Sequence, residues 1–177
     1  MSSTESNVLI IGASGRTGKY LVEALAKQRK DTVNIYAFCR QPTNLEMSTR
    51  QYCANVIQGN ARNEKDLNNA IVQSKSDFVV VAVGNGDDVS KSDIRTTSAQ
   101  ALVKVMKHHP TVKTLVVSSI GAGSSSIKAG FGIGKLIEYH LRHILRDHTG
   151  QEEAFLSARS SIKDRTMIVR PTGLAEG

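Results

Sequence analysis

The sequence predicts an α/β chain whose strands form one doubly wound parallel sheet, within a single domain over residues 1–177. Three observations predict it. Short β-branched apolar runs alternate with amphipathic helical patterns along the chain. Several of these runs are apolar at nearly every position, as strands covered on both faces must be. The first run, Val8-Leu9-Ile10-Ile11, passes directly into a glycine-rich turn and then into a helical pattern. That sequence of strand, turn and helix is Rossmann-like.

The elements follow in order. VLII (8–11) is the first strand, and Gly18, Leu21, Val22 and Leu25 share one face of the helix behind it. VNIYAF (33–38) and ANVIQ (54–58) are the second and third strands. Asp66, Leu67, Ala70 and Ile71 mark a shorter helix. FVVVAV (78–83) is the fourth strand, and Ile94, Ala101, Leu102 and Val105 line the next helix. TLVVSS (114–119) and TMIVR (166–170) complete the set. One segment breaks the alternation. GAGSSSIKAGFGIG (121–134) carries five glycines and three serines directly after the fifth strand. It predicts a mobile loop over the carboxyl ends of the strands, where such sheets bind ligands. The competing reading is a connection with no role of its own.

Composition narrows the function. At 177 residues, 40% hydrophobic and 22% charged, the chain suits one sizeable core. MSSTESN at the start has neither the basic flank nor the apolar run of a secretory signal. No apolar stretch approaches the ~20 residues a membrane helix needs. Cys39 and Cys53 show neither metal-type spacing nor a disulfide framework, which points to reduced thiols and a cytoplasmic location. The net charge of +7 raises the question of nucleic acid, but the basic residues are scattered and only four Tyr and four Phe are available for stacking. A basic surface that favours phosphate-bearing cofactors is the better reading.

Gly12, Gly15 and Gly18 form G-x-x-G-x-x-G between strand and helix. The first permits a tight turn, the second lets backbone approach a pyrophosphate, and the third allows the helix to pack closely on the sheet. Amides at the helix N-terminus then face the anion. The second strand selects the nucleotide. An acid roughly 20 residues past the glycines would bind the ribose 2′-hydroxyl of NAD. Val33 to Leu45 contains no Asp or Glu, and Arg40 follows Cys39 at the end of the strand. A guanidinium there suits a 2′-phosphate, and Arg16 in the turn can reach the same region. The cofactor expected is NADP(H).

These residues belong to a longer series. GASGRTG (12–18), Arg40, Gly59-Asn60, VAVG (81–84), VVSSIG (116–121), RDHTGQEEAFLSARS (146–160) and TMIVRPTGLAEG (166–177) occur in that order across almost the whole chain. In this the sequence resembles the atypical short-chain dehydrogenase/reductases with an NAD(P)-binding domain, in the NmrA-like group that includes flavin reductase/biliverdin reductase B. The resemblance implies roles. Gly12, Ser14, Gly15, Arg16, Thr17 and Gly18 would hold the pyrophosphate and nearby ribose, and Arg40 would face the 2′-phosphate. Asn60 stands where the family usually has Asp beside the adenine. Val83 and Gly84 would line the adenosine side, Ser118 and Ser119 would approach the nicotinamide, and Pro171 and Thr172 would border its amide. The family usually continues with another strand and helix beyond this point. With the sequence ending at Gly177, the expectation is a substrate wall that is partly missing or supplied by a partner chain, or else a sequence truncated from a longer one.

The catalytic chemistry is less legible. Short-chain dehydrogenases with a Tyr-x-x-x-Lys pair use the lysine to lower the tyrosine pKa. The nearest match is Tyr139-His140-Leu141-Arg142-His143, with His in place of Lys. Ile137, Leu141, Ile144 and His148 form one helical stripe, which puts Tyr139 on the outer face. Two catalytic candidates remain. Ser119 could orient a substrate carbonyl or the nicotinamide, or could simply bond backbone in a turn. His148 could donate a proton, although a helix-end histidine bonded to the final carbonyls is the preferred reading. His140 and His143 lack a convincing third metal ligand. Gln151, Glu152 and Glu153 are expected to open the next helix, where acids favour the N-terminal dipole.

The expectation is an NADPH-dependent oxidoreductase passing hydride to a small conjugated acceptor such as a flavin, quinone or carbonyl compound. The alternative is an NADP-sensing regulatory protein without turnover, acting through a protein partner or a homodimer. A nucleotide-sugar epimerase fits less well, because those enzymes generally keep the Tyr-Lys pair.

Overall fold

The computed structural model describes residues 5–29, 32–86, 88–128 and 133–172. Six parallel strands form one sheet: β1 (Ser6–Ile11), β2 (Val33–Cys39), β3 (Asn55–Gln58), β4 (Phe78–Val81), β5 (Lys113–Val117) and β6 (Thr166–Val169). Their order is β3-β2-β1-β4-β5-β6. The order reverses between β1 and β4, so a crevice opens at the carboxyl ends of those two strands. Each apolar run of the sequence became a strand. The fourth is shorter than its run because the ladder stops where Ala82 N donates to Ile11 O (2.9 Å). There Gly12 turns out of the sheet with φ +89°.

Helices cover both faces. α1 (Arg16–Arg29) and the short α2 (Met47–Arg50) follow β1 and β2. α3 (Glu64–Ser74) and α4 (Ile94–Val105) flank β4, and α5 (Ile133–His140), α6 (Arg142–Leu156) and α7 (Ser160–Lys163) lie between β5 and β6. Alternate residues of β1 feed separate cores. Val8 and Ile10 pack with Val22, Ile35 and Ala37 beneath α1. Leu9 and Ile11 pack with Leu67, Leu102 and Phe155 beneath α3, α4 and α6. Leu9 and Ile10 are both 0% exposed, so consecutive strand residues are buried on opposite faces. Burial of each such side chain stabilises by about 1.5–3 kcal/mol.

Among the described residues, the α1 face is covered only as far as β4. Leu115 and Val117 of β5 are half-buried on that side, and Met167 of β6, which pairs with Leu115, is 62% exposed. No described helix is long and apolar enough to cross a membrane. Cys39 is buried, Cys53 is half-buried, and both are free thiols.

The region after β5 departs from the sequence reading. The expected single stripe through Ile137, Leu141, Ile144 and His148 is broken at Leu141, where α5 ends and α6 begins. α6 then continues without interruption through residues 148–153. Gln151, Glu152 and Glu153 therefore sit inside a helix rather than opening one, and His148 is not at a helix end. The physical reason is Gly150. A glycine inside a helix costs about 1 kcal/mol relative to alanine, but here it permits close contact with Thr96 of α4. A Cβ at position 150 would overlap the Thr96 hydroxyl.

Asp147, next to this contact, closes the seam. It caps α4 from outside: Oδ2 accepts from Arg95 N (3.1 Å), and Oδ1 accepts from Thr96 N (2.9 Å) and Thr96 Oγ1 (2.8 Å). Asp93, at the cap position itself, makes no side-chain cap bond. A distant carboxylate thus satisfies the first amides of α4.

Candidate functional site

The turn between β1 and α1 is fixed by backbone. Gly12 N and Ala13 N both donate to Phe38 O of β2 (3.0 and 3.3 Å), and Gly15 N donates to Gly12 O (3.0 Å). A Cβ on Gly12 would lie 2.6 Å from Ala82 O, beside the end of β4. A Cβ on Gly18 would run into the Gly12 carbonyl and Ala13 Cα, and one on Gly15 would sit 3.3 Å from Gly12 O. Three neighbouring strands and the first turn of α1 therefore close on one another with no room for side chains. This cradle fits the phosphates of a dinucleotide. Its backbone can approach an anion, and the positive end of α1 faces it. Ser14 and Thr17 are half-buried and Arg16 is exposed at its edge.

The β2–β3 side carries the other groups expected near the adenosine. Arg40 is exposed directly after β2, two residues beyond the Phe38 carbonyl that anchors the turn. Its own carbonyl accepts from Gln58 Nε2 (3.4 Å). Glu46, the first carboxylate after β2, is paired with Lys19 of α1. Asn60 N donates to Asp66 Oδ2 (2.9 Å), and Asn60 Oδ1 accepts from Arg62 N (3.0 Å). The side-chain oxygen of Asn60 is thus already committed to its own turn. Val83 is buried and Gly84 is exposed. A Cβ on Gly84 would lie 3.0 Å from Arg95 Nη2. Burial pushes the Arg95 pKa down, against the carboxylate of Asp147, whose Oδ2 is 3.4 Å from Nη1.

The β5–β6 side is built from side chains. Ser118 is buried; its N donates to Val169 O (2.8 Å) and its Oγ donates to Glu152 Oε1 (2.6 Å). Ser119 Oγ donates to the Ile120 carbonyl (3.1 Å). Glu152, 1% exposed, also accepts from Arg170 Nε (2.8 Å) and Arg170 Nη2 (2.6 Å). Burial alone would raise the Glu152 pKa, but the bonds from Arg170 and Ser118 hold it below the usual carboxylate range. Ile120 N donates to Pro171 O (3.1 Å), which joins the exits of β5 and β6. Pro171 is half-buried and Thr172 exposed at that exit.

His148 is buried in the interior of α6, with Nδ1 3.3 Å from Gln151 Oε1. Burial, and then the charge of Arg95, push its pKa down to about 4. It is therefore uncharged at neutral pH, contrary to the value expected of a proton donor. Tyr139 is 67% exposed. The Arg142 guanidinium stacks on its ring at 4.6 Å and donates to its carbonyl.

Residues 121–128 are tied down where they are described. Gly121 N donates to Ser125 Oγ (3.0 Å), Gly123 N to Thr149 Oγ1 (2.9 Å) and Ile127 N to Glu138 Oε1 (2.6 Å). The rest of the predicted loop, 129–132, lies outside the described residues, as does the end of the chain from Gly173.

The structure thus brings Gly12, Gly15 and Gly18 together at the crevice, with Arg40 beside them. It groups Ser118 with Pro171 and Thr172 at the β5–β6 exits, and leaves Ser119 and His148 bonded within their own segments. Sequence reasoning missed Arg95, Asp147 and the bonding of Glu152 to Arg170. The available signal was two acids, Asp147 and Glu152, within a helix whose buried positions include Leu145 and Phe155.

A family model described as NAD(P)H-binding matches residues 12–177. Among solved structures, the chain is similar to ChuY, an anaerobilin reductase from Escherichia coli O157:H7. The TM-score is 0.70 at 18% identity, over 97% of this chain and 75% of that one. A wide-type short-chain dehydrogenase/reductase from Veillonella parvula DSM 2008, in complex with NADP, gives 0.71 at 16% identity, over 93% and 68%. The dTDP-glucose 4,6-dehydratase from Bacillus anthracis str. Ames, in complex with NAD, gives 0.66 at 13%, over 93% and 54%. At these identities the likeness is one of fold. The chain spans about half the length of the dehydratase and up to three quarters of ChuY.

Proposed function

The chain belongs to the NAD(P)H-binding family, and from that premise we propose that it is an NADPH-dependent oxidoreductase. It is of the atypical short-chain dehydrogenase/reductase type and acts on a small conjugated acceptor: a flavin, a quinone or a related carbonyl compound. The observation that carries this reading is the glycine cradle at the crevice, with Arg40 exposed beside it and no acid between Val33 and Leu45. A guanidinium there pairs with a 2′-phosphate, whereas a carboxylate would pair with a 2′-hydroxyl.

The nicotinamide, when bound, supplies a hydride. The chain's own residues supply position rather than protons. Ser118 donates its hydroxyl hydrogen bond to Glu152, and Ser119 donates its own to the Ile120 carbonyl. His148 is neutral and buried, and Tyr139 faces outward. A conjugated acceptor suits such a site, because it can take its proton from water once reduced.

Mixing the protein with NADPH and a panel of flavins, quinones and conjugated carbonyl compounds tests the reading. Loss of the reduced nicotinamide absorbance well above the uncatalysed rate is expected with at least one acceptor. Tight NADPH binding with no oxidation across the panel would sink it. That result would favour the second reading, a regulator that senses NADP(H) and signals to a protein partner. The same commitment of hydroxyl protons within the fold is the observation behind that alternative.

A further inference from the structure

We infer that Glu152 is the positioning residue for the nicotinamide end of the site. The inference rests on the NADPH reading above. Glu152 is a carboxylate almost wholly enclosed in α6, between Gln151 and Phe155 on the buried face. An isolated carboxylate there would be costly. It is stable because segments from separate parts of the chain converge on it. Ser118, at the exit of β5, donates to Oε1, and Arg170, at the exit of β6, donates to both oxygens. Gly123 closes the third side: a Cβ there would press on the Glu152 carboxylate and lie 3.0 Å from Arg170 Nη2.

The consequence is geometric. Arg170 is covalently followed by Pro171, whose carbonyl accepts from Ile120 N. One carboxylate therefore sets the spacing of 118–123 against 170–172. These are the two exits at which the sequence resemblance puts the nicotinamide, through Ser118, Ser119, Pro171 and Thr172. The cradle and Arg40 lie on other strands and make no contact with Glu152 among the described hydrogen bonds and ion pairs. Glu152 should thus govern one end of the cofactor and leave the other alone.

Two ligands separate the ends. NADPH spans both, whereas adenosine 2′,5′-bisphosphate reaches only the cradle side. Their affinities are measured by calorimetry on wild type and on Glu152→Gln, with a thermal melt of each. Glu152→Gln keeps an acceptor for Ser118 but removes the charge that grips Arg170. NADPH is expected to weaken about tenfold, the worth of roughly one lost hydrogen bond, with bisphosphate affinity unchanged. Equal losses for both ligands, or no loss for either, would overturn the inference. Should Glu152→Gln not fold, Gly123→Ala decides. It keeps every charge, pushes a methyl group against the carboxylate at a position whose φ of +57° already disfavours a side chain, and should give the same split. If wild type binds neither ligand, the NADPH reading itself falls; if it binds both and the split is absent, only the role of Glu152 falls.

Discussion

On the β1–β2 side of the crevice, the surface that would meet a ligand is mostly main chain: Gly12, Ala13 and Gly15, held by amides that donate to Phe38 and Gly12 carbonyls. On the β5–β6 side it rests on buried ionisable side chains. Arg95, Asp147, His148 and Glu152 are the buried charged or titratable polar residues among those described, and every one lies on α4 or α6. The contrast teaches how each half can fail. A main-chain cradle fails by collision, because a Cβ has nowhere to go. A cluster of buried charges fails by imbalance, because each group depends on its neighbours to offset the loss of water.

The largest break should come from Asp147→Ala. It removes the cap of α4 and leaves the Arg95 guanidinium buried without its counter-ion. Loss of about 3–5 kcal/mol is expected, read by denaturant unfolding. A loss under 1 kcal/mol would show that the seam between α4 and α6 does not depend on this charge.

Next comes acid. The unfolded chain protonates His148 at its ordinary 6.5, whereas the folded chain does so only near 4. Between those values the unfolded state binds more protons, so stability rises with pH through the window and falls on acidification. The full difference is about 3 kcal/mol. Melting temperature followed from pH 6.5 towards 4 should drop in wild type and drop less in His148→Gln. Parallel curves would remove His148 as the cause. Arg95 opposes the charging of this histidine, whereas the neighbouring Gln151, Asp147 and Glu152 favour it.

The smallest effect belongs to the other half. Arg40→Asp should weaken NADPH about tenfold and leave NADH little changed, because in the proposed site only the 2′-phosphate would meet this exposed residue. Equal losses would undo the cofactor assignment. The fold should be unaffected, which sharpens the contrast with Asp147.

Legibility followed the same division. The runs at 8–11, 33–38 and 78–83 are strands because nearly continuous apolar segments can be buried on both faces, and that pattern is local. Gly18 could be placed from spacing because a Cβ there meets only Gly12 and Ala13, a few positions away, whereas the close approach of Gly12 to Ala82 joins segments seventy residues apart. The expectation that Gln151, Glu152 and Glu153 open a helix failed for the opposite reason. A glycine reads locally as a helix stop, and only Thr96, more than fifty residues earlier, explains why the helix continues.

Sequence alone determined the strand inventory, the parallel alternation and the glycine turn from β1 into α1, since periodicity and glycine spacing express steric rules. Tertiary structure decided what the polar residues of α6 do. Asp147 caps a helix that is not its own, His148 is held neutral, and Glu152 joins the exits of two strands. Those roles depend on burial and on partners distant in the chain, and a carboxylate carries no mark in sequence that tells a solvated acid from one enclosed beside an arginine.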